Sequence, residues 1–247
     1  MPPQPLSKIR SSAIAYVGAG CAAQGRPLLA QLVARAMATW ADIEYQFGGM
    51  LITMLGANAA PAAAMFSALT SSVAQLAALE AAAASVLGAA SREYELFGVV
   101  MREATRAATH RHRFAHWCWA FCDELSDALL FVNPEALMEH DMNRGGVEAP
   151  FDGHGLLGDL DRSRVLVYRE RDLMEAIEEL DEASYCVSHL RFMIALKSRA
   201  PSEMLAQRYL SLITRPGVAQ ALIRLRARRK SDPSAHPSRR RKGRTTE

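Results

Sequence analysis

The sequence Arg-His-Arg-Phe-Ala-His-Trp occupies residues 111–117 and marks the point where the pattern of the chain changes. Ahead of it, apolar residues recur at the spacing of helix faces. Behind it, short apolar runs bounded by turn residues are typical of strands. The segment itself brings two arginines, two histidines and two aromatic rings into seven positions, which is the sharpest chemical signal in the chain.

Three helices are predicted ahead of this segment. In 27–47 the apolar residues alternate at spacings of four and three, which defines one buried face. These residues are Leu29, Val33, Ala36, Trp40, Ile43 and Phe47. Gly48-Gly49 is predicted to interrupt or kink this helix before it continues over 50–55. An alanine-rich core helix is predicted over 62–87, with Met65, Val73, Leu79 and Ala83 on its apolar face, and a third helix over 91–110.

Behind the segment, two strands and three helices are predicted. Residues 127–132 and 164–168 have strand character and are expected to pair as a small two-stranded ribbon, with an exposed loop at 138–161 between them. A long helix is predicted over 170–199, followed by shorter helices at 202–214 and 217–230. The expected fold is mainly α, a helical bundle. Its predicted organisation is a flexible lead-in at 1–25, the bundle at 26–200, C-terminal helices at 201–230 and a disordered basic tail at 231–247.

Charge is divided unevenly along the chain. Residues 221–247 hold ten Lys/Arg against two acidic residues, whereas the other 220 residues hold nineteen Lys/Arg against twenty-four Asp/Glu. The body is therefore mildly acidic and the tail strongly basic. Such a tail binds phosphate backbones or anionic surfaces without sequence preference, and also serves solubility.

The spacing of the cysteines and the hydropathy of the span 45–79 indicate where the protein is expected to be located. The four cysteines have no spacing typical of a disulfide framework, so we expect them to be reduced and the protein to be cytoplasmic. The uncharged part of the span 45–79 is long enough to cross a bilayer, but it holds many Ala, Ser and Thr, with Pro61 and Gln75. A buried helical hairpin is therefore favoured over stable membrane insertion.

Arg111 and His116 stand in the order arginine, polar residue, three residues, histidine, with His112 as the polar residue. This arrangement resembles the Arg-x4-6-His signature of the HEPN superfamily, helical proteins of which many are metal-independent ribonucleases. The resemblance covers the motif and the helical setting, about 27–199. Asparagine is usual where this chain has His112. The resemblance implies an endoribonuclease of toxin or defence type that needs no cofactor, with Arg111, His116 and His112 as its candidate catalytic residues.

The chemistry that the resemblance implies suits these residue types. Metal-free RNA cleavage needs a base near neutral pH for the 2′-hydroxyl and a cation for the phosphate, roles that suit His116 and Arg111. Five helical residues rotate by about 140°, so this pair is not expected to share a face of an unbroken helix. Either the helix breaks inside the motif or a homodimer completes the site, as HEPN-like ribonucleases do.

Further basic residues lie ahead of the motif at helical spacing. Arg102, Arg106 and Arg113 line one predicted face and are candidate RNA-phosphate contacts.

Other interpretations use the same residues differently. His112 with His116, and Cys118 with Cys122, are each four apart and can be read as metal ligands, although zinc sites usually place such pairs on separate elements. The aromatic residues Trp117, Trp119 and Phe121 suit either base stacking or core packing. In the alternative function, the chain is a non-catalytic helical module that dimerises or binds a partner protein. An antitoxin would be one such partner.

Overall fold

The computed structural model describes residues 3–10, 13–56, 59–143, 155–156, 160–197 and 202–231. Helices dominate these residues, as predicted. In chain order the elements are β1 (Gln4–Pro5), α1 (Leu6–Ile9), β2 (Tyr16–Val17), α2 (Ala19–Gly25), α3 (Pro27–Leu55), α4 (Ala59–Ala68), α5 (Ser72–Ala83), α6 (Arg92–His116), β3 (Cys118–Phe121), β4 (Ala128–Val132), α7 (Pro134–Asn143), β5 (Gly155–Leu156), β6 (Val165–Arg169), α8 (Glu170–Leu196), α9 (Ser202–Ile213) and α10 (Pro216–Ser231).

The chain divides into two compact units. The first comprises Met1–Ala41 and Ala107–Glu182, and the second comprises Asp42–Arg106 and Ala183–Glu247. The boundaries fall within α3, α6 and α8, so the predicted division into one bundle at 26–200 and separate C-terminal helices differs from the observed units.

An antiparallel sheet forms the centre of the first unit. Its strand order is β1-β6-β4-β3-β2-β5, and β4 pairs with β6 in the register Leu130 opposite Val167. The predicted pairing of these two segments is therefore confirmed. The sheet is larger than the predicted two-stranded ribbon, because β1, β2, β3 and β5 add to it.

Strand β4 is buried on both of its faces. On one face, alternate residues join an aliphatic core cluster. On the other, Phe131 packs against Tyr168 of β6 and Phe114 of α6, with ring centroids 5.1 and 5.4 Å apart. Two-sided burial explains why this strand is a continuous apolar run. It also anchors the last turns of α6 to the sheet.

The stretch 1–25, predicted to be a flexible lead-in, contributes to this sheet in its described part. Strand β1 pairs with β6, and β2 lies between β3 and β5. Leu6, Ala13 and Ala22 are buried. Just beyond, Arg26 Nη2 donates to the Cys122 carbonyl at 2.7 Å. Strands of two residues are too short to produce a recognisable alternation, which is why the sequence pattern did not indicate them.

The long helices bury the faces that their periodicity predicts. All six predicted apolar residues of α3 are buried, as are Leu173, Ile177, Leu180, Val187, Leu190 and Ile194 of α8. Helix α3 continues through Gly48 and Gly49, so the predicted interruption is wrong. A Cβ at Gly49 would collide with the guanidinium of Arg191, which lies over Tyr45 and donates to Gln46. This glycine therefore makes room for a packed arginine.

The alanine-rich stretch differs most from its predicted single helix. It forms α4, then α5, then one π-helical turn at Ala84–Gly88. Leu79 and Ala83 are buried as expected, but Met65 and Val73 are 65% and 74% exposed. No helix in the described ranges is long and apolar enough to span a bilayer. The predicted tail lies outside the described residues, except Ser231 at the end of α10.

Ser91 caps the start of α6, with its Oγ accepting from the backbone N–H of Tyr94 at 3.0 Å. Replacing this hydroxyl leaves a helix N–H without its acceptor. We expect Ser91→Ala to lower the free energy of unfolding by about 1 kcal/mol. Ser91→Asp should keep most of the stability of the wild type, because its carboxylate can also accept from the helix N–H. Urea denaturation of both variants measures the difference, and equal stability of Ser91→Ala and wild type would contradict the cap.

Candidate functional site

The 111–117 segment forms the end of α6 and the turn into the sheet. Helix α6 runs without a break to His116, and the Trp117 N–H donates to the Arg113 carbonyl at 3.0 Å. Strand β3 begins at the next residue, where Cys118 lies opposite Val132 of β4. The motif therefore occupies a helix end that is fixed by the strand following it.

Arg111 and His116 are in contact within one chain. Arg111 Nη1 lies 3.0 Å from His116 Nε2. The prediction that the motif requires a broken helix or a second subunit to bring the pair together is therefore wrong. The physical reason is the length of the arginine side chain, which reaches along the final turn although the two Cα positions lie on different faces.

The contact also assigns a tautomer to His116. A guanidinium donates and never accepts, so Nε2 is the acceptor and the ring proton lies on Nδ1. The contact therefore places the Nε2 lone pair beside a cation. A general base requires such a lone pair.

His112 completes a compact surface group with this pair. The rings of His112 and His116 have centroids 5.0 Å apart and are tilted by 52°. Both histidines are exposed, and Arg111 is half-buried. The structure thus brings together the three residues predicted to be catalytic, with both imidazoles exposed to solvent.

Arg113, predicted to contact RNA, faces the other way and supports the helix end. Its Nη1 donates to the Tyr168 hydroxyl at 3.2 Å, and its guanidinium lies 5.9 Å from the Trp117 ring centroid. Burial raises the pKa of Tyr168, against the opposing effect of Arg113, so the phenol stays protonated. These contacts give Arg113 a packing role beside the site, and its contact with RNA stays a prediction.

Arg102 and Arg106 lie earlier on α6, in the second unit. Both are exposed, and Arg106 forms an i,i+3 ion pair with Glu103 at 2.9 Å. Such an exposed pair is weak and can open to a phosphate. Their predicted RNA contact rests on exposure and charge.

The aromatic residues behind the motif pack against the protein. Trp119 Nε1 donates to the Phe114 carbonyl at 3.2 Å, and its ring meets Phe131 edge-on. Phe121 stacks on Tyr16 with centroids 5.4 Å apart. Of the two roles that suit these rings, the structure favours core packing.

The metal interpretation gains no support from the thiols. Cys122 is buried, and its Sγ donates to Glu124 at 3.0 Å. Burial raises the pKa of Cys122 and Cys118, which disfavours the thiolate that binds metals. In the part of the chain that the structure describes, no three His, Cys, Asp or Glu residues are grouped so that they could hold a metal ion.

The arrangement combines a base, a cation and a second imidazole on one helix end. These are the groups that metal-free phosphodiester transfer uses. Comparison of the chain with protein-family models, with curated proteins and with solved structures gave no match. The functional argument therefore rests on the geometry of the three side chains.

Proposed function

We propose that the protein is a metal-independent endoribonuclease of HEPN type, with Arg111, His112 and His116 as its catalytic residues. The observation that carries the proposal is the 3.0 Å contact between Arg111 Nη1 and His116 Nε2 on the exposed end of α6. It places an imidazole nitrogen and a cation at one point, next to a second exposed imidazole.

The proposed reaction is attack of the RNA 2′-hydroxyl on the adjacent phosphorus. A phosphate in the site draws the Arg111 guanidinium onto its non-bridging oxygens, which releases Nε2 of His116. Nε2 then accepts the 2′-hydroxyl proton as the 2′-oxygen bonds to phosphorus. The bond from phosphorus to the 5′-oxygen breaks, and protonated His112 donates a proton to that oxygen. The products are a 2′,3′-cyclic phosphate and a 5′-hydroxyl.

Substrate requirements and product ends test the proposal. The purified full-length chain is incubated in EDTA with an end-labelled single-stranded RNA and with the same oligonucleotide carrying one 2′-deoxynucleotide at the cut site. We expect cleavage of the first substrate only, with 3′ product ends that resist phosphatase until acid opens the ring. Cleavage that requires a divalent metal, or that leaves a 3′-hydroxyl, contradicts the proposal.

Replacing Arg111 removes the cation from the developing phosphate charge. We expect Arg111→Gln to lower the single-turnover cleavage rate by about 100- to 1,000-fold. Arg171→Gln is the matched control, because Arg171 is 78% exposed in its i,i+4 pair with Glu175 and the substitution removes the same charge. Equal rates for the two variants would exclude a catalytic role for Arg111.

The same assays also test the alternative function, a non-catalytic helical module. Absence of cleavage by wild type on any single-stranded RNA favours that alternative. The predicted homodimer is no longer needed to assemble the pair, since both residues meet within one chain. It stays a proposal, and so does a protein partner such as an antitoxin.

A further inference from the structure

A second group of polar side chains lies in the second unit, where α8 meets the end of α9. Tyr185 and His189 of α8 are stacked, with ring centroids 4.0 Å apart. Arg208 Nη1 and Ser211 Oγ of α9 each lie 3.4 Å from His189 Nδ1. Arg215, which precedes α10, covers the Tyr185 ring at 4.3 Å. One guanidinium and a hydroxyl thus contact the imidazole, and a second guanidinium lies over the tyrosine ring stacked on it.

Arg208 has no acidic side chain among its contacts in the described part of the chain. Within the described ranges, Arg208 contacts the imidazole of His189 and the ring of Phe192, and neither of these is an anion. Burial lowers the pKa of His189, and the charges of Arg208 and Arg215 lower it further. His189 is therefore neutral near neutral pH and helps to orient the Arg208 guanidinium without adding a third charge.

An exposed aromatic ring stands next to this guanidinium. Phe192 follows His189 by one helical turn and is 54% exposed. The Arg208 guanidinium carbon lies 6.0 Å from its ring centroid. Exposed phenylalanine beside arginine is the combination on which nucleic-acid-binding proteins stack a base and hold its phosphate.

We propose that Arg208, Ser211 and Phe192 form a nucleotide-binding site. The guanidinium binds the phosphate, and the Phe192 ring stacks on the base. The Ser211 hydroxyl, which donates to the Arg208 carbonyl at 2.8 Å, turns to donate to a phosphate oxygen instead. Half-burial of Arg208 and its contact with His189 hold the guanidinium in one direction, which favours a directed phosphate contact over a diffuse one. The site belongs to the second unit and does not rest on the proposed cleavage chemistry.

Small probes test the site without the background that a basic tail gives with RNA. Adenosine 5′-monophosphate, adenosine and inorganic phosphate are titrated into the full-length chain at 0.15 M salt, and dissociation constants are measured by ligand-observed NMR. We expect the nucleotide to bind more tightly than either of its parts. Equal affinity for the nucleotide and for phosphate alone would overturn the proposal.

Variants separate the two halves of the site. Arg208→Gln is expected to weaken nucleotide binding by about 10- to 100-fold, and Arg208→Lys by less, because lysine keeps the charge but loses the planar fork. Phe192→Leu is expected to weaken binding of the nucleotide by about fivefold or more and to leave phosphate binding unchanged. Unfolding curves of each variant show whether it is folded.

One further variant serves as a control. Arg171→Gln is expected to bind the nucleotide like wild type, because it removes an arginine charge from the first unit and leaves the second unit unaltered. Unchanged nucleotide affinity in a folded Arg208→Gln variant overturns the site, whatever the cleavage assays give. Retained nucleotide binding with no RNA cleavage would instead support this site and reject the proposed ribonuclease.

Discussion

Replacing His116 with alanine is expected to lower RNA cleavage by about 100- to 10,000-fold, the range that a positioned general base contributes. In the proposed reaction the Nε2 that Arg111 contacts accepts the 2′-hydroxyl proton, and alanine leaves no group at that point. Because His116 is exposed, the stability of the variant should stay within about 0.5 kcal/mol of wild type. Single-turnover rates on a labelled RNA measure the effect.

The two histidines are distinguished by the leaving group of the substrate, because only the departing 5′-oxygen needs the proton that His112 donates in the proposed reaction. A substrate with sulfur in place of the leaving 5′-oxygen needs no acid, so it should restore the rate of His112→Ala but not of His116→Ala. Restoration of both variants would contradict the assignment.

The helices were the most predictable part of the fold, for a reason visible in α3 and α8. Large apolar residues such as Trp40, Ile43 and Leu180 alternate there with charged ones, so the period of 3.6 stands out. In α4 and α5 nearly every residue is small and weakly apolar. Alanine forms helix equally well whichever face is buried, so the sequence gives little information about which face packs, and Met65 and Val73 were assigned to the wrong one.

Most of the sheet was missed because its strands carry weak local signals. Strands β1 and β2 have two residues each, and only Trp117 lies between the end of α6 and the start of β3. Trp119 and Phe121 of β3 suit base stacking as well as core packing, so they did not indicate a strand. Only β4 and β6, which are apolar runs bounded by turns, were recognisable by composition.

The candidate site was predictable in its residues but not in its geometry. The predicted angle between positions 111 and 116 applies to the backbone of the helix. The arginine side chain is long enough to reach His116 in spite of that angle. The residues around His189 also stand at helical spacings in the sequence. Tyr185 and His189 are four apart on α8, and Arg208, Ser211 and Arg215 follow at spacings of three and four. What the sequence lacks is the contact that joins these two sets.

Replacing Phe131 with alanine is expected to destabilise the protein most, by about 3–5 kcal/mol in the free energy of unfolding. The ring is fully buried on β4 and contacts the rings of Phe114, Trp119 and Tyr168 at 5.1–5.6 Å between centroids. Alanine leaves a cavity between the sheet and α6 that these large rings cannot refill. Urea denaturation followed by circular dichroism measures the loss.

Two control variants are needed to interpret this loss of stability. Leu28→Ala removes a side chain that is 69% exposed, so it should change stability by no more than about 0.5 kcal/mol. Phe131→Leu keeps most of the volume and should cost about 1.5 kcal/mol or less.

The cavity should also affect the proposed catalytic residues. Phe114 lies between Arg111 and His116 on α6, and its carbonyl accepts the Trp119 indole N–H at 3.2 Å. Loosening this ring frees the last turn of the helix and the side chains that depend on it. Under conditions where Phe131→Ala remains folded, its cleavage rate should therefore fall well below that of Leu28→Ala. An unchanged rate in a folded Phe131→Ala variant would mean that the aromatic cluster stabilises the sheet without positioning the Arg111–His116 pair.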